Sequence, residues 1–245
     1  MGRLDSLLEQ AALRRWSRVA NEADRMDSAA LLTVGRRART LARQLERILH
    51  TSESRVSANT DVPRPLHADW AWRPELWSGP VSPSGIAGMA NGAGFGQEVK
   101  FFHDCPRGEY SVRQRRNAGG QVTAPFGVCI EVYHFGGGFL SLAIDLPREA
   151  VEGLSRRHLV RVGAPREMER AVPVYGRLNV RHGPNVAQAV RQFEEDDHVD
   201  LDLATMEFDE NRVSAAWVDL IFEAPAMNRL ILTDVTLSRR PRAEF

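Results

Sequence analysis

The chain is 245 residues long, with 32 basic and 32 acidic side chains, a formal net charge of zero and a pI near 7.1. That length can bury a substantial core, while the balanced charge supplies no global field to draw nucleic acid or anionic lipid. No run approaches the roughly 18 apolar residues needed to span a bilayer, and the N-terminus lacks the apolar stretch of a signal peptide, so a soluble, cytoplasmic, bacterial-type protein is expected.

The charge average hides an asymmetry. Residues 1–50 hold ten arginines and six acids, net +4, and the remainder holds 22 bases and 26 acids, net −4. Through the same N-terminal stretch, Ala12, Trp16, Val19, Ala23, Met26, Ala30, Val34, Ala38, Leu41, Leu45 and Ile48 recur every three or four positions, the period of an amphipathic helix. Asp27-Ser28 suits a second helix start and Gly35 weakens a continuous one, so residues 1–58 form either one rod or an αα-hairpin. The stripe needs cover, either from the rest of the chain or from a second copy in a homo-oligomer.

Residues 59–97 lose this rhythm. Pro63, Pro65, Pro74, Pro80 and Pro83 mark an extended arm, and Trp70, Trp72 and Trp77 within it need somewhere to pack. The indoles predict an arm clamped across the following domain; the alternative is an aromatic platform for a sugar.

Residues 98–245 read as successive strands, near 98–104, 110–116, 127–135, 139–146, 158–163, 173–182 and 198–204, closing on two long strands within 213–239. In the first of these two, Ala216, Val218, Leu220 and Phe222 share one face, with Trp217, Asp219 and Glu223 opposite. In the second, Ile231, Val235 and Leu237 share a face. Turn signals stand at Asn117–Gly120, Gly136–Gly138 and His182–Pro184; Pro147 to Leu154 suits a helical turn, and Asn185 to Phe193 fits helix or strand. Without helical crossovers between most neighbours, a parallel sheet is disfavoured. The fold class expected is mainly β: an antiparallel β-sandwich of jelly-roll type with an N-terminal α-helical segment.

The same alternation points candidate ligand-binding residues outward: Arg113, Arg115, Glu131 and Tyr133 on two strands, and Arg177, Asn179 and Arg181 on a third. If these strands are neighbours, an aromatic ring, guanidinium forks and a carboxylate share one surface suited to a glycan or an anionic group. A solvated face held by cross-strand ion pairs uses the same residues. His103-Asp104-Cys105 cannot bind one ion alone, because successive strand residues face opposite ways, so no metal and no cofactor are expected. Two cysteines, Cys105 and Cys129, make no disulfide framework, though one bridge between them stays open. No Gly-x-Ser-x-Gly elbow occurs, Gly92-Ala-Gly94-Phe-Gly96 lacks the strand and helix of a phosphate loop, and Glu194–Asp197 with His198 reads as a solvated acidic turn.

With Asp69-Trp-Ala-Trp-Arg-Pro-Glu-Leu-Trp77, Phe102-His-Asp-Cys105, Leu178–Asn185 and the ending Asp234–Phe245 in view, the chain resembles a family of uncharacterised proteins from Rhodobacter-type alphaproteobacteria. That resemblance implies no activity and no site residues. The closing Ile231-Leu-Thr-Asp-Val-Thr-Leu237 strand is similar to the last strand of galactose-binding-like and carbohydrate-binding jelly rolls. The function expected is a non-enzymatic binding module for a saccharide or a protein partner. One alternative is a saccharide-acting hydrolase or lyase using Glu131 or an aspartate with His134; another is an architectural assembly subunit.

Overall fold

A computed structural model describes residues 3–57, 62–117 and 124–242. The boundary expected at 58/59 and the turn expected beyond Asn117 lie outside those residues. The chain divides into two compact units, 1–52 and 53–245.

In the first unit, α1 (Arg3–Glu22) runs into a single 3-10 turn and then breaks, and α2 begins at Ser28 and continues to Ser57. The break follows from backbone and cap together. Met26 is extended, and the Asp27 Oδ1 accepts the Ala30 N–H at 2.8 Å, satisfying a helix donor that otherwise has no partner. The helical stripe is thus not one continuous rod, and Gly35 is carried inside α2 without interrupting it.

The second unit is an antiparallel β-sandwich. Its arm supplies β1 (Trp70–Trp72), the short helix α3 (Glu75–Ser78), β2 (Gly85–Ala87) and β3 (Ala93–Phe95). After these come β4 (Val99–His103), β5 (Tyr110–Arg116), β6 (Phe126–Val132), β7 (Phe139–Asp145), the helical turn α4 (Arg148–Val151), β8 (His158–Gly163) and β9 (Arg166–Met168). The chain closes with β10 (Val174–His182), β11 (Asn185–Phe193), β12 (His198–Asp202), β13 (Val213–Glu223), β14 (Asn228–Leu232) and β15 (Thr236–Pro241).

One layer is a six-stranded sheet in the order β11-β10-β13-β7-β4-β3; facing it are two further sheets, five-stranded β2-β5-β6-β14-β9 and four-stranded β1-β15-β8-β12. Phe101 of β4 meets Tyr110 of β5 across the core, with ring centroids 6.1 Å apart. The two-residue rhythm explains the interior: Ala216, Val218, Leu220 and Phe222 of β13 are all buried in the common core, as are Leu178 and Val180 of β10. Gly176 sits at a close approach of the layers, since a Cβ there would lie 2.9 Å from Val199 of β12.

Two stretches depart from the expected pattern. Asn185–Phe193, ambiguous by periodicity, is a strand, because Gly183 adopts φ 58° and closes a tight hairpin that pairs all of β11 with β10. The last expected strand is two strands, β14 and β15, in different sheets. Between them Asp234 is buried and gripped by Arg73 through two hydrogen bonds of 2.8 Å. The crossing resets the phase: Leu230 and Leu232 face the core, whereas Ile231 pairs with Cys129 on the outer side.

The arm packs as a clamp. Trp77 is fully buried and its indole N–H donates to the Leu232 carbonyl at 3.0 Å, while Trp70 and Trp72 stack with centroids 6.3 Å apart and lean on the core. Cys105 and Cys129 are both buried free thiols.

Candidate functional site

On β10, Val174, Gly176, Leu178 and Val180 point inward, so Tyr175, Arg177, Asn179 and Arg181 project from the outer face of the six-stranded sheet. Register completes the surface. Gln192, Val190 and Gln188 of β11 stand beside Tyr175, Arg177 and Asn179, and on the other side Ile221, Asp219 and Trp217 of β13 stand beside the same three.

These side chains are linked. The Gln188 Nε2 donates to the Asn179 Oδ1 at 2.9 Å, the Asn179 Nδ2 donates to the Asp219 Oδ2 at 2.8 Å, and the Arg177 Nε donates to that same oxygen at 2.8 Å. Asn179 and Asp219 are 1% and 3% exposed although both are on the outer face, closed over by the longer side chains that bond to them. Burying a carboxylate is tolerated because it is both paired and hydrogen-bonded. Arg177 keeps 35% of its side chain open to solvent. The Arg181 guanidinium stands over the Trp217 ring at 5.6 Å, and the Tyr175 hydroxyl donates to Glu223 at 3.2 Å.

Further along the face, the middle of β7 contributes two small groups, Ser141 and Ala143, between Phe102 and Lys100 of β4 and Ile221 and Asp219 of β13, with Phe139 and Asp145 at the two ends of the strand. The result is a low strip with taller walls. Ser141 is buried and its Oγ has no hydrogen-bond partner, a deficit of about 1–3 kcal/mol for such a group.

At the opposite margin, β11 and β12 are both edge strands, and a trough opens between them. Its two sections have volumes of 530 and 320 Å³ and share Arg191, Gln192, Glu194 and Asp202; Gln188 and Val190 belong to both the trough and the outer face. These volumes are on the scale of small-ligand clefts. Asp200 lines the second section, and two 2.7 Å bonds from Arg161, joined by Arg240 at 3.2 Å, hold its carboxyl below the usual carboxylate range.

The seven residues expected to bind ligand do not form one surface. Arg177, Asn179 and Arg181 lie on β10, whereas Arg113 and Arg115 of β5, Glu131 of β6 and Tyr133 just beyond it belong to the facing layer and project from the other side of the sandwich. There Arg113 pairs with Glu131 at 3.3 Å, and Ser111, Glu131 and Tyr133 make contacts of 3.4–3.5 Å. The split arises because β5 and β10 have the same alternation but opposite layers.

The histidines and acid that could join Glu131 in catalysis are dispersed, and all but His134 are engaged in local structure. His103 is buried edge-on against Tyr110 and Phe135, and its Nε2–H donates to the Met89 carbonyl at 3.2 Å. Burial pushes the Tyr110 hydroxyl up to about 12. Asp104 accepts the backbone N–H groups of Gly138 and Phe139, which lower its pKa and tie the β6–β7 turn. His182 accepts the Asp209 N–H at 3.3 Å at the far end of β10, and His134 is exposed. Among the described residues no group of three or more His, Cys, Asp or Glu is placed to hold a metal ion.

Trp217, Asp219, Gln188 and Tyr175 were not among the candidate site residues. Trp217 and Asp219 already stand on the polar phase of β13; only the β10–β13 register joins them to Arg177 and Asn179.

No curated protein matches the sequence. Solved structures with a similar backbone include the enzymatically active domain of tailspike protein 4 of bacteriophage CBA120, at TM-score 0.41 and 7% identity over 62% of this chain; the chain spans 21% of that protein's length. Another is a family 11 carbohydrate-binding module from Clostridium thermocellum in complex with a β-1,3-1,4-mixed-linked tetrasaccharide, at TM-score 0.37 and 8% identity over 67% of this chain and 100% of that one. A third is the N-terminal CBM22-1–CBM22-2 tandem domain of Xyn10C from Paenibacillus barcinonensis, at TM-score 0.33 and 11% identity over 59% of this chain and 42% of that one. Across its whole length, residues 1–245, the chain belongs to DUF6478, a family of unknown function.

Proposed function

We propose that the protein is a non-catalytic saccharide-binding module whose contact surface is the outer face of β10, β11 and β13. The observation that carries this reading is the linked set Gln188, Asn179, Asp219 and Arg177, lying on the same face as the Trp217 and Tyr175 rings. A sugar offers C–H faces that pack on aromatic rings and hydroxyls that both donate and accept. The exposed Gln188 amide and the half-open Arg177 guanidinium, held in place by the buried Asn179 and Asp219, answer the hydroxyls, and the rings answer the C–H face. Because the polar groups already brace one another, little side-chain freedom is lost on binding. The β11–β12 trough, which shares Gln188 and Val190 with this face, extends the surface beyond a single sugar ring.

Isothermal titration against a panel of soluble oligosaccharides and polysaccharides tests the reading. Trp217→Ala and Tyr175→Ala should each weaken binding about tenfold, roughly 1.4 kcal/mol, with Tyr133→Ala unchanged on the facing layer. Loss of binding in Tyr133→Ala with retention in Trp217→Ala would move the site to the other face. A panel with no binder would remove the saccharide reading.

A further inference from the structure

In α2, Leu31, Val34, Ala38, Leu41, Leu45 and Ile48 recur at helical spacing and occupy an arc of about 100°. Side chains of this stripe are exposed, Leu31 at 44%, Leu45 at 50% and Ile48 at 64%. Arg36 and Arg39 are exposed on the opposite side, with Arg37 at its margin. The thirty residues of α2 hold six arginines, two glutamates and no aspartate or lysine, a local net charge of +4 within a chain whose total is zero.

That charge pattern discriminates between occupants. A second copy would gain from complementary charges beside the seam, but the positions that flank it between Val34 and Leu45 are Gly35, Arg37, Ala42 and Gln44, so two α2 helices offer Arg37 no carboxylate there. An anionic lipid surface supplies what the helix lacks, with acyl chains for the apolar arc and phosphates for the guanidinium groups. We propose that α2 is an interfacial helix that lies flat on an anionic lipid surface without crossing it. Among the described residues no helix is long and apolar enough to cross a membrane. The zero net charge of the whole chain does not oppose this, because attraction to a surface fades within a Debye length of about 8 Å and reads local charge.

The full chain is to be spun with vesicles of equimolar phosphatidylcholine and phosphatidylglycerol, and with pure phosphatidylcholine vesicles. Binding to the anionic vesicles alone, weakened at about 1 M salt, is expected. Replacing Arg36, Arg37 and Arg39 together by alanine should reduce partitioning roughly 100-fold, and Leu41→Asp with Leu45→Asp should abolish it. An unchanged helical signal in far-ultraviolet circular dichroism, together with unchanged thermal unfolding, shows that these variants fold. Equal binding to both vesicle types, no binding, or anionic binding that survives the aspartate pair would overturn the proposal. So would a two-chain mass by light scattering that falls to one chain in the aspartate pair without any vesicle binding, because a second copy would then cover the stripe.

Discussion

Removing Arg73 should unfold the sandwich more readily than any surface change, and the structure sets the size of the effect. The Arg73 and Asp234 side chains are 1% and 8% exposed and meet through two hydrogen bonds of 2.8 Å. Arg73→Ala leaves a buried carboxylate without its fork, a loss of about 3–5 kcal/mol. For a domain of this size each kcal/mol moves the midpoint by about 2–4 °C, so a fall of roughly 10 °C is expected by calorimetry or far-ultraviolet circular dichroism. Arg73→Met with Asp234→Leu should recover most of it, since replacing both charges with apolar groups of similar volume removes the desolvation cost along with the attraction. A single variant within about 2 °C of wild type would refute the view that this pair holds the arm at the crossing from β14 to β15.

Gly176→Val should cost about 1–3 kcal/mol in urea denaturation, because its Cβ would stand 2.9 Å from Val199 and 3.3 Å from Phe193 where the layers meet; an unchanged midpoint would mean that the layers are not so close there. Asp200 gives a pH dependence of definite sign. Its folded carboxyl lies below the ordinary value through hydrogen bonds from Arg161, so the stability it adds is complete above the ordinary carboxylate range and is lost as pH falls through the lowered value. Asp200→Asn should flatten the fall in urea midpoint below about pH 4, and a fall as steep as wild type would contradict that assignment.

The interior of the sandwich was legible because alternation is a local property: Ala216, Val218, Leu220 and Phe222 declare their face without reference to any partner. Strand order was not, because it depends on which strands meet after the chain has crossed between layers. The residues Arg113, Glu131, Arg177 and Asn179 have equivalent phases, yet β5–β6 and β10 end on opposite sides. Pairing of Arg177 with Asp219 across β10 and β13 was hinted only by opposite charges on two strands. The break at Asp234 was hidden for a related reason. An aspartate within a β-rich run reads as a solvent-facing position, and only its distant partner Arg73, 161 residues earlier, makes burial tolerable. In the helical unit the cap at Asp27 was readable, because Ncap chemistry is decided within four residues.

Amide chemical-shift mapping of the full chain, titrated with an oligosaccharide that it binds, tests the central claim most directly. Perturbations should gather on Tyr175 to Arg181, Gln188 to Gln192 and Trp217 to Ile221. Shifts gathered instead on Ser111 to Arg115 and Glu131 to Tyr133, or spread evenly over both layers, would contradict the assignment of the outer face of β10, β11 and β13 as the binding surface.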